Sequence, residues 1–304
     1  MVEKRDKRLL FGFYLSGDIT SSIEKALEYQ KRLGKKINII SLYFSWGEDL
    51  NPDISGIEKV IGEGFIPMIT WEPWRIPKSE SEKIHPENQP DFSLEQILKG
   101  RYDDYIKRWA FGLKKLSKSI FFRPMHEMNG NWYPWCGRIN GNDPKKFIEA
   151  WRYIKSIFKE VGCNRLIWVW SPYAHSVPEE KGNEIELYYP GSQEIDWMAL
   201  DGYNWGVSKE WSSWQNFIDI FKKGYEILIR LSKDKPIMIG EIGCAEDGGD
   251  KGEWILDTFR ALKIKFSKIK ALVWFNIKKE CDWRIESSEK VFESFRSGLK
   301  EWIS

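Results

Sequence analysis

Along the chain, short and mostly continuous apolar runs alternate with longer amphipathic stretches. Eight of the short runs are rich in β-branched and aromatic residues: LLFGFYL (9–15), INIISLYF (37–44), FIPMITWE (65–72), SIFFRPMHE (119–127), RLIWVWSP (165–172), DWMALDGYN (196–204), PIMIGEIG (236–243) and ALVWFNI (271–277). Continuous rather than alternating hydrophobicity is what parallel strands show when both faces are covered. The segments between them carry helical spacing and helical punctuation. SSIEKALEYQKRLG (21–34) ends in a glycine suited to a helix C-terminus, and DPKKFIEAWRYIKSIFKEVG (143–162) opens with Asp-Pro as cap and first turn. KGEWILDTFRALKIKF (251–266) follows the seventh run, and a last helix is predicted near 287–303. Only EIELYYPGSQ (184–193), after the fifth run, is too short and too rich in turn residues for a full helix. Eight strands alternating with helices predict an α/β fold, a (β/α)8 TIM barrel. No repeat or low-complexity linker divides the chain, so residues 1–304 are expected to form one catalytic domain.

Length supports this: 304 residues suffice for one large barrel with a substantial core. The 47 Lys and Arg nearly cancel 45 Asp and Glu, without a block of like charge, so neither nucleic acid nor a charged membrane is an expected partner. No run approaches the roughly 18 to 20 apolar residues of a membrane helix. The opening MVEKRDKRLLFGFYLSGD reads as a first strand rather than a signal peptide, which leaves the cellular location open, secretion included if a leader has been removed. Cys136, Cys163, Cys244 and Cys281 form no CxxC pair and the only histidines are His85, His126 and His175, so the spacing suggests neither a metal site nor a disulfide framework. The composition does add 17 Trp and 12 Tyr, many near the ends of the apolar runs. Such rings either fill a core or stack on the apolar faces of sugars.

A barrel places its active site at the C-terminal ends of the strands. Those ends carry Trp71 and Glu72, His126 and Glu127, Ser171, then Asp201, Tyr203 and Asn204, Glu241, and finally Trp274 and Asn276. A lone Glu at a strand end is ordinarily a solvated loop carboxylate. Two of them, Glu127 closing the fourth strand and Glu241 closing the seventh, set among Trp and Tyr, form the pair that glycoside hydrolysis needs: an acid for the leaving oxygen, and a carboxylate that attacks the anomeric carbon or activates water.

FFRPMHEMNGNWYPW (121–135), LDGYNWG (200–206) and IMIGEIG (237–243) together resemble glycoside hydrolase family 26, over nearly the whole expected barrel. The resemblance implies a retaining endo-β-glycanase that needs no metal or organic cofactor, with Glu127 as acid/base and Glu241 as nucleophile. It further implies that His126 approaches the nucleophile or the sugar hydroxyls, that Tyr203 hydrogen-bonds Glu241, and that Asp201 shapes the same floor. Trp132 is then expected near the leaving side and Trp274 under the cleavage subsite. Arg123 supplies positive charge beside Glu241 or forms a structural ion pair. Asn129, Trp135, Trp71 and Trp74 complete the expected substrate contacts. Retention predicts carboxyl groups roughly 5 to 5.5 Å apart.

The implied substrate is a β-linked polysaccharide; a monomer is expected, although an exposed aromatic cleft looks the same in a monomer or a dimer. Mannan-cleaving members of the family carry a Trp-His-Trp type segment after the third strand, where this chain has TWEPWR (70–75) with Glu72 in place of the His. That points away from mannan toward mixed-linkage β-1,3-1,4-glucan, with endo-β-1,4-mannanase activity and, less readily, xylan as alternatives. A non-catalytic carbohydrate-binding barrel accounts for the aromatics but not for both glutamates. Phosphate chemistry would need a Gly-rich phosphate loop, and AEDGGDKGEW (245–254) is too acidic for one; DGGDKGE (247–253) reads as a surface loop rather than a calcium site.

Overall fold

Eight parallel strands close on themselves in chain order: β1 (Leu10–Leu15), β2 (Ile39–Ser45), β3 (Ile66–Glu72), β4 (Ile120–Pro124), β5 (Leu166–Trp170), β6 (Trp197–Asn204), β7 (Ile237–Cys244) and β8 (Ile269–Asn276). β8 returns to β1 in a six-residue register, from Leu10 opposite Ala271 to Leu15 opposite Asn276. The helices α1 (Ile19–Leu33), α2 (Ile54–Gly62), α3 (Leu94–Leu98), α4 (Asp103–Leu113), α5 (Pro144–Val161), α6 (Phe217–Leu231), α7 (Lys251–Ile264) and α8 (Glu289–Trp302) cover the outside. After β5 there is only a 3-10 turn, Ile185–Tyr188, as the turn-rich composition there predicts. This computed structural model describes residues 9–77, 82, 85 and 89–303; the basic opening stretch, residues 1–8, lies outside the described residues. No described helix is long and apolar enough to cross a membrane.

The helix ends follow their local chemistry. Asp18 accepts from the Ser21 amide at the start of α1, and Asp143 accepts from the Lys146 amide at 2.8 Å ahead of Pro144 in α5, each satisfying an amide that the helix itself cannot. Both helices end on glycines in the left-handed region, Gly34 and Gly162.

Strand alternation decides what each residue faces. Ile39, Met68, Phe121, Val169, Ala199, Met238, Ala271 and Val273 form a separate apolar cluster that plugs the inside of the barrel. Two residues further along the same inward set come Ser41, Thr70, Arg123, Ser171 and Asp201, a buried polar layer, and above it Tyr43, Glu72 and Phe275. The residues between them face the helices.

This parity corrects two expectations. Trp71, expected to bind substrate, lies between inward Thr70 and Glu72 and is fully buried on the outer face, against Tyr105 and Trp109 of α4 and Phe158 of α5. Trp274, expected under the cleavage subsite, lies between inward Val273 and Phe275; it packs on Trp254 of α7 and Phe295 of α8 and donates its indole N–H to the Trp283 carbonyl at 2.8 Å. Being one position out of phase moves a strand side chain to the opposite face. The ring that does reach the mouth from β8 is Phe275, stacked on Tyr14 at 4.8 Å.

Trp71→Ala should therefore behave as a core deletion. A loss of about 3 to 5 kcal/mol in chemical denaturation is expected, as for other buried tryptophans. A change below about 1 kcal/mol would contradict its place in the barrel–helix interface.

Candidate active site

The site starts from one buried cation. Arg123 in β4 is completely enclosed, and every arm of its guanidinium is used. Nη1 donates to both carboxylate oxygens of Asp201 at 2.9 Å, Nε and Nη2 reach the Thr70 hydroxyl at 3.1 and 2.8 Å, and Nη2 also donates to Tyr43 at 3.1 Å and to Glu241 at 2.5 Å. Ser171, just past β5, donates to Asp201 at 2.9 Å. Gly240 makes room for this layer: a Cβ there would meet Asp201 Oδ1 at 2.5 Å. The strand register slips at Leu200/Asp201 and around Gly240–Glu241, which lets Glu241 follow an inward residue and still face the mouth.

Glu241 is held by donors on both oxygens. Tyr43 donates to Oε1 at 2.5 Å, Tyr203 donates to Oε2, and Arg123 shares Oε1. Burial alone would raise its pKa, but Arg123 and the two phenols outweigh that and hold the carboxyl below the usual value. Asp201 is also pushed upward by burial, and the bidentate guanidinium pair is what opposes it.

Glu127 is built differently. Strand β4 stops at Pro124, so Glu127 does not close a strand as its apolar neighbours suggest. It sits on a turn in which Met125 (φ 49°) and Glu127 (φ 53°) both adopt the left-handed conformation. The Glu127 amide donates to the Ser171 carbonyl at 2.7 Å, and among the described residues its carboxylate accepts one hydrogen bond, from Trp132 Nε1 at 2.6 Å. Burial, then the charges of Glu241 and Asp201, push its pKa well above that of an ordinary carboxyl. Equal burial thus yields opposite protonation states in two glutamates whose nearest oxygens lie within 4.8 Å of each other.

His126 stands between the acids, with Nε2 3.6 Å from Glu241 and 4.0 Å from Glu72. Burial and the nearby Arg123 push its pKa down to about 3, so the imidazole is neutral, and among the described residues neither ring nitrogen has a hydrogen-bond partner. Glu72 is held up to about 8, chiefly by burial, and accepts from Trp74 Nε1 at 3.3 Å. His126, Glu127 and Glu241 are close enough to share a cation, but both oxygens of Glu241 and one of Glu127 already accept protein donors, and Arg123 lies alongside. That donor set suits proton transfer better than metal ligation.

Two further expected substrate contacts are corrected. Trp135 is fully buried, stacked on Tyr133 at 4.3 Å, with its N–H on the His126 carbonyl at 2.7 Å. Asn129 is fully buried and clamps the Tyr173 backbone, donating to its carbonyl at 2.9 Å and accepting from its amide at 2.8 Å. Both hold the loop that carries Glu127, because a loop this deep must satisfy its own polar groups. Asn204 and Asn276, at the ends of β6 and β8, likewise spend their side chains on neighbouring loops. Trp132 and Trp74 remain half-buried at the rim, Trp74 edge-on to Tyr133 at 5.2 Å, and His85 is exposed. The sequence reading missed Tyr43 and Phe275; the polar Ser41 within the apolar β2 run marked the inward face on which Tyr43 follows.

The sequence profile of glycosyl hydrolase family 26 matches residues 25–246. Endoglucanase H of Acetivibrio thermocellus is 34% identical over 92% of this chain and 29% of its own length. Mannan endo-1,4-beta-mannosidase A and B of Caldalkalibacillus mannanilyticus is 28% identical over 57% of this chain and 32% of its own. The matched part is thus about a third of each of these relatives. Among solved structures, the catalytic domain of an endo-β-1,4-mannanase from Bacillus sp. JAMB-750 superposes with a TM-score of 0.73 at 15% identity, covering 98% of this chain and 87% of that one. A mannanase of Bacillus subtilis gives 0.64 at 23% identity, over 96% and 85%. At these identities the structural likeness is one of fold.

The raised pKa of Glu72 has a consequence for stability. The folded state keeps a proton there that the unfolded chain releases near the ordinary value of 4.5, so stability falls as pH rises from about 4.5 through about 8. Glu72→Gln, which stays neutral, is expected to flatten that decline in denaturant titrations at pH 5, 7 and 9. An unchanged slope would mean that Glu72 is ionised in the fold.

Proposed function

The chain belongs to glycosyl hydrolase family 26, and from that premise we propose that it is a retaining endo-β-glycanase in which Glu241 is the nucleophile and Glu127 the acid/base. The observation that carries this reading is the pair itself: two buried carboxyls whose nearest oxygens lie within 4.8 Å, one held ionised and the other held protonated. Such closeness suits direct attack by a carboxylate. An inverting enzyme needs roughly 6.5 to 9.5 Å to admit a water.

In the proposed cycle Glu241 attacks the anomeric carbon while Glu127 gives its proton to the departing glycosidic oxygen, and a covalent glycosyl-enzyme forms. Esterification removes the negative charge of Glu241, which is one of the causes keeping Glu127 protonated. The pKa of Glu127 then drops, and the side chain becomes the base that takes a proton from the incoming water. Arg123, Tyr43 and Tyr203 keep Glu241 ionised and aimed, and Trp132 orients Glu127 through its N–H. His126 stands beside Glu241 and Glu72, and its buried ring nitrogens are the groups proposed to approach the nucleophile or a sugar hydroxyl.

For the substrate, mixed-linkage β-1,3-1,4-glucan is the first reading. The relative matched over most of the chain is an endoglucanase, and Glu72 replaces the histidine of the mannan-cleaving pattern. Endo-β-1,4-mannanase activity is the second, supported by the relatives named as mannan endo-1,4-beta-mannosidases. The barrel is proposed to act as a monomer.

Barley mixed-linkage glucan, glucomannan, galactomannan and xylan, incubated separately, should give oligosaccharides from the first, and none with Glu127→Ala. Release from galactomannan instead would favour the mannanase reading, and binding without cleavage of any of them would favour a non-catalytic barrel. Glu241→Ala should lose turnover by several orders of magnitude yet still bind oligosaccharide; near wild-type cleavage would refute its role. Activity should rise with pH as Glu241 ionises and fall as Glu127 loses its proton. Tyr43→Phe, which removes one donor from Glu241, should move the acidic limb to higher pH, and an unmoved limb would show that Tyr43 does not tune the nucleophile.

A further inference from the structure

Trp211 is 71% exposed, whereas every other tryptophan of the chain is buried or half-buried. The loop that carries it, between β6 and α6, is held firmly. The Ser212 hydroxyl donates to the Gly206 carbonyl at 2.8 Å and accepts from the Lys209 amide at 3.2 Å. Asn204 Oδ1 accepts from the Gly206 and Gln215 amides at 3.1 and 3.0 Å, closing both ends of the loop on β6. Gly206 adopts a left-handed φ of 54°, and a Cβ there would come within 1.8 Å of the Asp247 carbonyl, so the loop is pressed onto the β7–α7 connection. Trp211 is presented by a fixed backbone.

Behind it stands a row of rings. Trp211 meets Trp205 at 5.3 Å, Trp205 meets Tyr203 at 6.1 Å and stands edge-on to Trp283 at 4.8 Å, and Tyr203 donates to Glu241. A cavity of about 120 Å³ lies against this row, lined by Tyr173, Tyr203, Trp205 and Trp211 together with Ser212, Ser213 and Gln215. Tyr173 in turn lies edge-on to Trp132, the residue that donates to Glu127. The groove is therefore continuous with the mouth that holds both carboxyls. Flat apolar faces alternating with hydroxyl and amide groups match the two faces of a pyranose, apolar above and below and hydroxylated at the edge.

We propose that Trp211, backed by Trp205, is a distal stacking platform for one sugar unit of the same β-linked chain whose bond is cut between Glu127 and Glu241. The proposal extends the glycanase reading of that mouth. It assigns the loop after β6 a part in holding long chains, so that affinity grows with oligosaccharide length up to the unit that covers Trp211.

The test is calorimetric binding of tri- and hexasaccharides from mixed-linkage glucan and from mannan to the Glu241→Ala protein, with and without Trp211→Ala. Trp211→Ala is expected to weaken hexasaccharide binding about tenfold, the loss typical of truncating an aromatic anchor. It should also narrow the gap between hexa- and trisaccharide, while Trp211→Phe, which keeps a flat ring, recovers most of the affinity. Equal hexasaccharide affinities for the two proteins would overturn the platform, as would a failure of every oligosaccharide to bind. Binding that depends on Trp211, in a protein whose Glu241-intact form cleaves no polysaccharide, would uphold the platform and refute the glycanase reading.

Discussion

Everything at the mouth of this barrel depends on the enclosure of Arg123. A guanidinium cannot shed its proton, so burying it obliges the fold to place negative charge and acceptors around it. Asp201 answers with both oxygens, Glu241 with one, and Thr70 fills the remaining arms. Removing one partner from such a buried set ordinarily costs about 3 to 5 kcal/mol, because the remaining charge has no water to turn to. The same requirement fixes chemistry. Glu241 is buried deeply enough to be neutral, and it is the cation below it, with Tyr43 and Tyr203, that keeps it charged and immobile.

From that one charge the asymmetry of the two glutamates follows. Glu127 is equally enclosed but accepts from an indole N–H, and the charges of Glu241 and Asp201 outweigh that of Arg123 on it. Desolvation is common to both side chains; the difference comes from what each one faces. Protonation becomes a property of position, and it changes when the partner's charge changes. This is what the role proposed for Glu127, acid first and base afterwards, requires.

Precision at Glu127 is obtained at the expense of backbone comfort. Met125 and Glu127 both sit in the left-handed region, each at a cost of roughly 1 to 3 kcal/mol for a side chain with a Cβ. The loop persists because Trp135, Asn129 and the Ser171 carbonyl hold it from three sides. The residues that look most functional in this motif therefore divide into two groups, those that face the mouth and those that make the strained turn possible.

Much of this was legible in the sequence. The eight apolar runs and the caps of the helices declare themselves through local chemistry: an Asp before a helix, a Gly after it, and an unbroken apolar run where both faces are covered. The pairing of Glu127 with Glu241 was legible too, because a barrel brings the ends of its strands to one mouth. What the sequence left undecided was facing and contact. Trp71 and Trp274 look like sugar platforms until strand parity turns them toward the helices, while Tyr43 and Phe275, on the inward phase, went unnoticed. The end of β4 at Pro124, the register slips beside Glu241 and the rigid display of Trp211 arise from backbone bonds between segments far apart in the chain. One-dimensional order determines which residues reach the mouth; three-dimensional closure decides which way they point and what charge they carry, because both depend on neighbours that only the closed barrel supplies.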